Sequence, residues 1–122
     1  MSILEKIVGD VIIFIINIPR ATLHESESLK KILTGRIEEG YCKIIVDLSS
    51  CEFMDSSFLS LLVHSLKKAV KQNGDLRLVG LQPSVKAMFE LTRLYRVFEI
   101  FNDPQIAIKS FNKMTNNGRD EI

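Results

Sequence analysis

Apolar residues recur along this chain in two rhythms, and they mark where strands and helices belong. Ile3 to Val8 and the β-branched run Val11 to Ile18 are separated by Gly9-Asp10, the pattern of an antiparallel hairpin closed by a two-residue turn. Pro19 stops the second run. From Thr22 to Glu39, Leu23, Leu29, Ile32, Leu33 and Ile37 recur at helical spacing with charges between them, and Gly40 follows where a helix end favours glycine. Cys42 to Leu48 has an Ile-Ile-Val centre without alternation, as expected of a strand covered on both faces. A helix then runs to about Gln72 and breaks at Asn73-Gly74. Leu76 to Val79 forms a strand, Pro83 opens a helix through about Leu94, Val97 to Phe101 forms a short last strand, and Asp103-Pro104 opens a final helix to about Phe111.

The order β-β-α-β-α-β-α-β-α predicts an α/β fold, with one mixed sheet and helices packed on it. The first pair of strands is antiparallel; the later strands are parallel, with right-handed crossovers. A chain of 122 residues suits one domain, expected over residues 1–111. The polar segment 112–122 lacks periodicity and is expected to fray.

Charge and cysteine usage remove several classes. Sixteen basic against fifteen acidic residues leave no overall field toward nucleic acid or anionic lipid. Cys42 and Cys51 have no CxxC spacing, so neither a zinc site nor a redox motif is expected, and no cofactor is implied. The most apolar stretch, Val11 to Ile18, is shorter than the roughly 20 residues that span a bilayer. The first residues lack the basic start and cleavage site of a signal peptide. A soluble, cytoplasmic protein without direct membrane insertion is expected.

The segment Phe53-Met-Asp-Ser-Ser-Phe-Leu59 carries the candidate chemistry. Asp55 sits where an N-cap belongs, because its carboxylate can accept from a first-turn amide at the positive helix end. Capping alone would account for it. Ser56 and Ser57 then fall in the first turn with hydroxyls near solvent. Projected at 100° per residue, Leu59, Leu62, Val63, Leu66 and Val70 form the expected core stripe. Phe58 flanks that stripe, while Leu61 projects outward with Ser57, His64 and Ser65. Phe58 and Leu61 would thus make a small exposed patch beside the serines, suited to docking or simply ordinary exposure. His64 reads as a solvated helix residue.

Enzymatic readings find no support in the spacing. There is no Gly-x-Ser-x-Gly elbow, the only histidines are His24 and His64, and no glycine-rich nucleotide cradle is present. Asp47 ends a strand as a receiver phosphoacceptor does, but no acidic pair follows the first strand to hold magnesium.

Taken together, the strand ending at Asp47-Leu48, the Phe53-Met54-Asp55-Ser56-Ser57 turn, the Asn73-Gly74 break and "LVGLQPSVKAMFELTRLYRVFEIF" resemble the STAS family, and within it the anti-sigma factor antagonists. The resemblance implies a STAS fold of four to five strands and about four helices, and a partner switch without enzymatic activity. Its phosphoacceptor would match Ser56, with Ser57 as second choice and Asp55 before it. The implied partners are an anti-sigma factor that is a serine kinase of the histidine-kinase-like ATPase type, and a metal-dependent serine phosphatase. The unphosphorylated form would bind the kinase and release its target. Two departures stand out. Phe58 replaces the usual glycine, which reads as tuning to one partner. No acidic residue precedes the first helix, where Arg20 and Thr22 would instead bring a cation and a hydroxyl near Ser56. STAS domains also serve as accessory subunits of lipid- or anion-transport systems, an alternative role without a phosphoswitch.

Overall fold

Gly9, at a φ of 62°, turns the chain so that Ile3–Val8 (β1) folds back antiparallel on Val11–Ile16 (β2), with Val8 opposite Val11 and Ile3 opposite Ile16. Only glycine adopts that left-handed conformation without steric penalty. The computed structural model describes residues 3–112. Its further elements are Arg20–Ala21 (β3), Leu23–Glu38 (α1), Lys43–Asp47 (β4), Phe53–Met54 (β5), Ser56–Lys71 (α2), Asp75–Val79 (β6), Pro83–Leu91 (α3), a 3₁₀ turn at Leu94–Arg96, Ile100–Phe101 (β7) and Pro104–Asn112 (α4). The expected frayed tail falls outside the described residues except for Asn112, which ends α4.

Five strands form the main sheet in the order β1-β2-β4-β6-β7, antiparallel only at the first pair. Register aligns Ile12, Ile44 and Leu76 across three strands, and Phe14, Val46 and Leu78 two residues on. All six point into the larger core with Leu29, Leu33, Leu62, Leu66, Val85 and Phe89 from α1, α2 and α3. Alternate residues Val11, Ile13, Ile45 and Val79 face the other way, against Ala107 and Phe111 of α4. Burial on both faces is why β2 and β4 show no hydropathic alternation.

One cation is buried beneath α4. Arg77 donates through Nε to Asp75 at 3.0 Å and through Nη1 to the Ser110 hydroxyl at 2.6 Å. It also pairs with Glu99 at 3.0 Å and stacks 4.2 Å from the Phe111 ring centroid. A buried charge persists only when its donors are satisfied in this way, and the result ties α4 to β6.

Three local features differ from the expectation. The helix from Pro83 ends at Leu91 instead of near Leu94, because Arg93 adopts a φ of 61° and ψ of 18° before the 3₁₀ turn. A non-glycine residue in that region costs about 1–2 kcal/mol. The last strand is correspondingly shorter than expected, Ile100–Phe101. Finally, β3 and β5 form a separate two-stranded parallel sheet that two-residue strands cannot announce by periodicity.

Candidate functional site at the start of α2

The small β3-β5 sheet builds the site. Arg20 pairs with Phe53 and Ala21 with Met54, so the residues that follow, Thr22 and Asp55, come side by side. Backbone bonds reinforce the pairing: Glu52 and Phe53 donate to the Pro19 carbonyl at 2.7 and 3.0 Å, and Asp55 donates to Ala21 at 3.0 Å. Each of the two is a helix N-cap, Thr22 for α1 and Asp55 for α2. The positive ends of two helices therefore meet at one edge of the domain.

The caps are made differently. The Asp55 carboxylate accepts from the Phe58 N–H at 3.0 Å. At α1, Glu25 reaches back to accept from the Thr22 backbone N–H at 2.9 Å and its hydroxyl at 2.7 Å, the return arm of a capping box. Those two bonds, the backbone one first, hold the Glu25 carboxyl below the ordinary carboxylate range. Ser56 is exposed at the first position of α2 and Ser57 is half-buried beside it. Helix-terminal amides and the dipole favour an anion at this position.

Arg20 lies over the Phe53 ring, its guanidinium carbon 4.3 Å from the centroid. The register thus brings Arg20 and Thr22 to the Ser56 end of the domain, where the sequence put a cation and a hydroxyl.

The apolar patch expected of Phe58 and Leu61 is not on the surface. Phe58 is fully buried and Leu61 is only 8% exposed, whereas Leu59, Val63 and Val70, expected in the core, are half-buried at its margin. The buried arc of α2 comprises Phe58, Leu61, Leu62, Ser65, Leu66 and Ala69. It is turned by about 90° from the expected stripe at 100° per residue. Packing against α1 causes the rotation, since Leu61 faces that helix as well as the sheet side. Phe58 is a core anchor, which removes its reading as a partner-tuning residue.

Other residues take the surface around the serines. Leu23 is 55% exposed and Phe53 37%. A groove of about 410 Å³ between α1 and α2 is lined by Leu23, Glu27, Lys30, Ser57, Ser60 and the exposed His64, among others. Leu23, one of the apolar residues recurring at helical spacing, is the first residue of α1 and lies on the surface. Its place immediately after the Thr22 cap was the one signal in the sequence for this. Among the described residues, no three His, Cys, Asp or Glu side chains gather as a metal site, and no helix is long and apolar enough to cross a membrane.

Comparison with known proteins supplies the family. The STAS domain family matches residues 4–107. The chain belongs to the STAS family. A Thermotoga maritima protein described provisionally as an anti-sigma factor antagonist is 33% identical over 98 residues, covering 80% of this chain and 86% of that one. The anti-sigma-B factor antagonist of Staphylococcus aureus is 32% identical over 66 residues, 54% of this chain and 61% of its own. The crystal structure of a Thermotoga maritima protein of the same provisional description superposes with a TM-score of 0.85 at 27% identity, covering 91% of this STAS chain and 95% of the other. Unphosphorylated SpoIIAA, an anti-sigma factor antagonist, shares the fold with a TM-score of 0.82 at 18% identity over 93% of this chain and 99% of its own. So does murine Solute Carrier 26 family member A9, an anion transporter, at 0.72 and 15%, over 88% of this chain and 18% of that one.

Proposed function

We propose that this STAS protein is an anti-sigma factor antagonist controlled by phosphorylation of Ser56. Its unphosphorylated form binds an anti-sigma factor that is also a serine kinase of the histidine-kinase-like ATPase type. That binding releases the kinase's target. Phosphorylation ends the complex, and a metal-dependent serine phosphatase restores the free hydroxyl.

The observation that carries this reading is the exposed Ser56 at the first position of α2, beside a cap already satisfied by Asp55. A phosphate there adds about −1.5 to −2 charges. The paired helix ends tolerate that charge inside the domain. A partner surface fitted to a neutral hydroxyl does not, so the switch acts by repulsion and desolvation at the interface, with the fold unchanged. Ser57 is the second choice because it is half-buried against the α1 groove.

The domain acts by binding, without catalysis of its own, and works in the cytoplasm. Relatives described as anti-sigma factor antagonists support the role over that of a transport accessory subunit, for which only the shared fold speaks. The deciding experiment is incubation with a purified candidate partner kinase and ATP, followed by intact mass, peptide mapping and binding assays. One phosphate on Ser56, full binding by Ser56→Ala and weak binding by Ser56→Glu are expected. Equal affinity of wild type and both variants would overturn the reading.

A further inference from the structure

A cavity of about 520 Å³ lies between α3, the 3₁₀ turn and β7, and none of its lining residues belongs to the Ser56 surface. Small-molecule sites occupy roughly 300–1,000 Å³, so the volume suits a small ligand. The cavity sits beyond the carboxyl ends of two neighbouring parallel strands. Leu81 follows the end of β6 after one glycine, and Asn102 follows β7 directly. Open α/β sheets hold their ligands at that end of their strands.

Its lining divides into an apolar floor and a polar rim. Phe89 is fully buried and packs edge-on against Phe98, ring centroids 5.7 Å apart, with the half-buried Leu81 and Ile100 beside it in the floor. Lys86, Glu90, Tyr95 and Asn102 are exposed and form the rim. Lys86 and Glu90 stand one turn apart on α3, on the same side of the helix. Yet they do not pair with each other, and neither joins another ion pair among the described residues. Lysine ahead of glutamate is the weaker order for such a helical pair. The Tyr95 hydroxyl and the Asn102 amide also have no hydrogen-bond partner among the described residues.

We propose that this cavity binds a free α-amino acid with an apolar side chain, its carboxylate at Lys86 and Asn102, its ammonium at Glu90 and its side chain over Leu81, Phe89 and Ile100. A simple anion is attracted by Lys86 but repelled by Glu90, and a simple amine meets the reverse; a ligand carrying both charges gains from both. The β-carbons of helical residues four apart are about 6 Å from one another. Flexible side chains at that spacing close on two charges that share one α-carbon, whereas the termini of a peptide are too far apart to meet them together. The apolar side chain then covers floor atoms that water otherwise wets, and the Tyr95 hydroxyl supplies a further donor to the carboxylate. This inference does not depend on the function proposed for Ser56.

Amide chemical-shift mapping of the full chain with L-phenylalanine and L-leucine tests this. Both probes are expected to shift the amides of Leu81, Lys86, Glu90, Ile100 and Asn102 saturably, with a Kd on the order of a millimolar for two exposed ion pairs and a small apolar contact. N-acetyl-L-phenylalanine lacks the ammonium and L-phenylalaninamide the carboxylate. Each should bind about two- to fivefold more weakly, the effect of losing one exposed pair. Lys86→Met and Glu90→Gln, both at exposed positions, should lower L-phenylalanine affinity by the same factor. Each variant should also erase one preference: Lys86→Met binds L-phenylalanine and its amide alike, and Glu90→Gln binds L-phenylalanine and its N-acetyl derivative alike. No saturable shift with either probe, shifts centred elsewhere on the domain, or equal binding of L-phenylalanine and its two blocked derivatives by the wild type would overturn the inference. None of these outcomes bears on phosphorylation of Ser56.

Discussion

The Asp55 carboxylate accepts the Phe58 backbone N–H at 3.0 Å, so the cap of α2 is bonded to the residue whose aromatic side chain anchors the helix in the core. Cap and anchor together set where Ser56 stands. Removing the carboxylate in Asp55→Ala leaves an N-terminal amide unpaired and should cost about 1 kcal/mol in urea unfolding. Asp55→Asn keeps an acceptor and should cost only a few tenths. Equal losses in the two variants would show that the cap bond contributes nothing.

The rotation of α2 is read by a pair of truncations. Leu61→Ala removes a side chain held between α2 and α1 and should destabilise the fold by about 2–5 kcal/mol. Leu59→Ala, at the margin, should cost distinctly less. Chemical denaturation of both decides it, and a larger loss at Leu59 would put the helix back in the orientation its hydropathy suggested.

Arg93 offers a prediction of opposite sign. Glycine reaches a φ of 61° without strain, so Arg93→Gly should stabilise the domain by about 1 kcal/mol, offset in part by the greater freedom of glycine in the unfolded chain. A melting temperature raised by a few degrees is expected.

Stability should fall on the acid side through two carboxyls. Glu25 is held below the usual range by the Thr22 backbone N–H first and its hydroxyl second, and Asp10 by its 2.6 Å bond to Lys43. A carboxyl depressed in the folded state stabilises it above the unfolded value and loses that contribution as pH falls through the folded one. Asp10 is exposed and Glu25 half-buried at the surface, so the effect is small and shrinks with salt. The denaturation midpoint should decline as pH falls below about 4, and Glu25→Gln should flatten the decline. An unchanged slope would exclude Glu25 as a contributor.

Some of this architecture is written in single residues. Gly9-Asp10 announced the hairpin, Asp55 announced the start of α2, and Asn73-Gly74 announced its end: there the chain passes so close to the Cys42 carbonyl that a Cβ on Gly74 would collide with it. Such signals are local because they depend on backbone conformation or on a bond spanning three residues. Arg93 escaped notice for the same reason in reverse, since an arginine carries no mark of a left-handed turn.

The candidate site divides along that line. Local chemistry in the sequence determined the order of the five main strands and four helices, the capped start of α2 and the two serines in its first turn. Only the tertiary structure decided which side of α2 is buried, because apolar residues occupy more than half of its circumference and the arc chosen depends on α1 lying beside it. The same holds for the β3-β5 pair: two residues per strand carry no period, and only their meeting through backbone hydrogen bonds brings Arg20 and Thr22 to the serines.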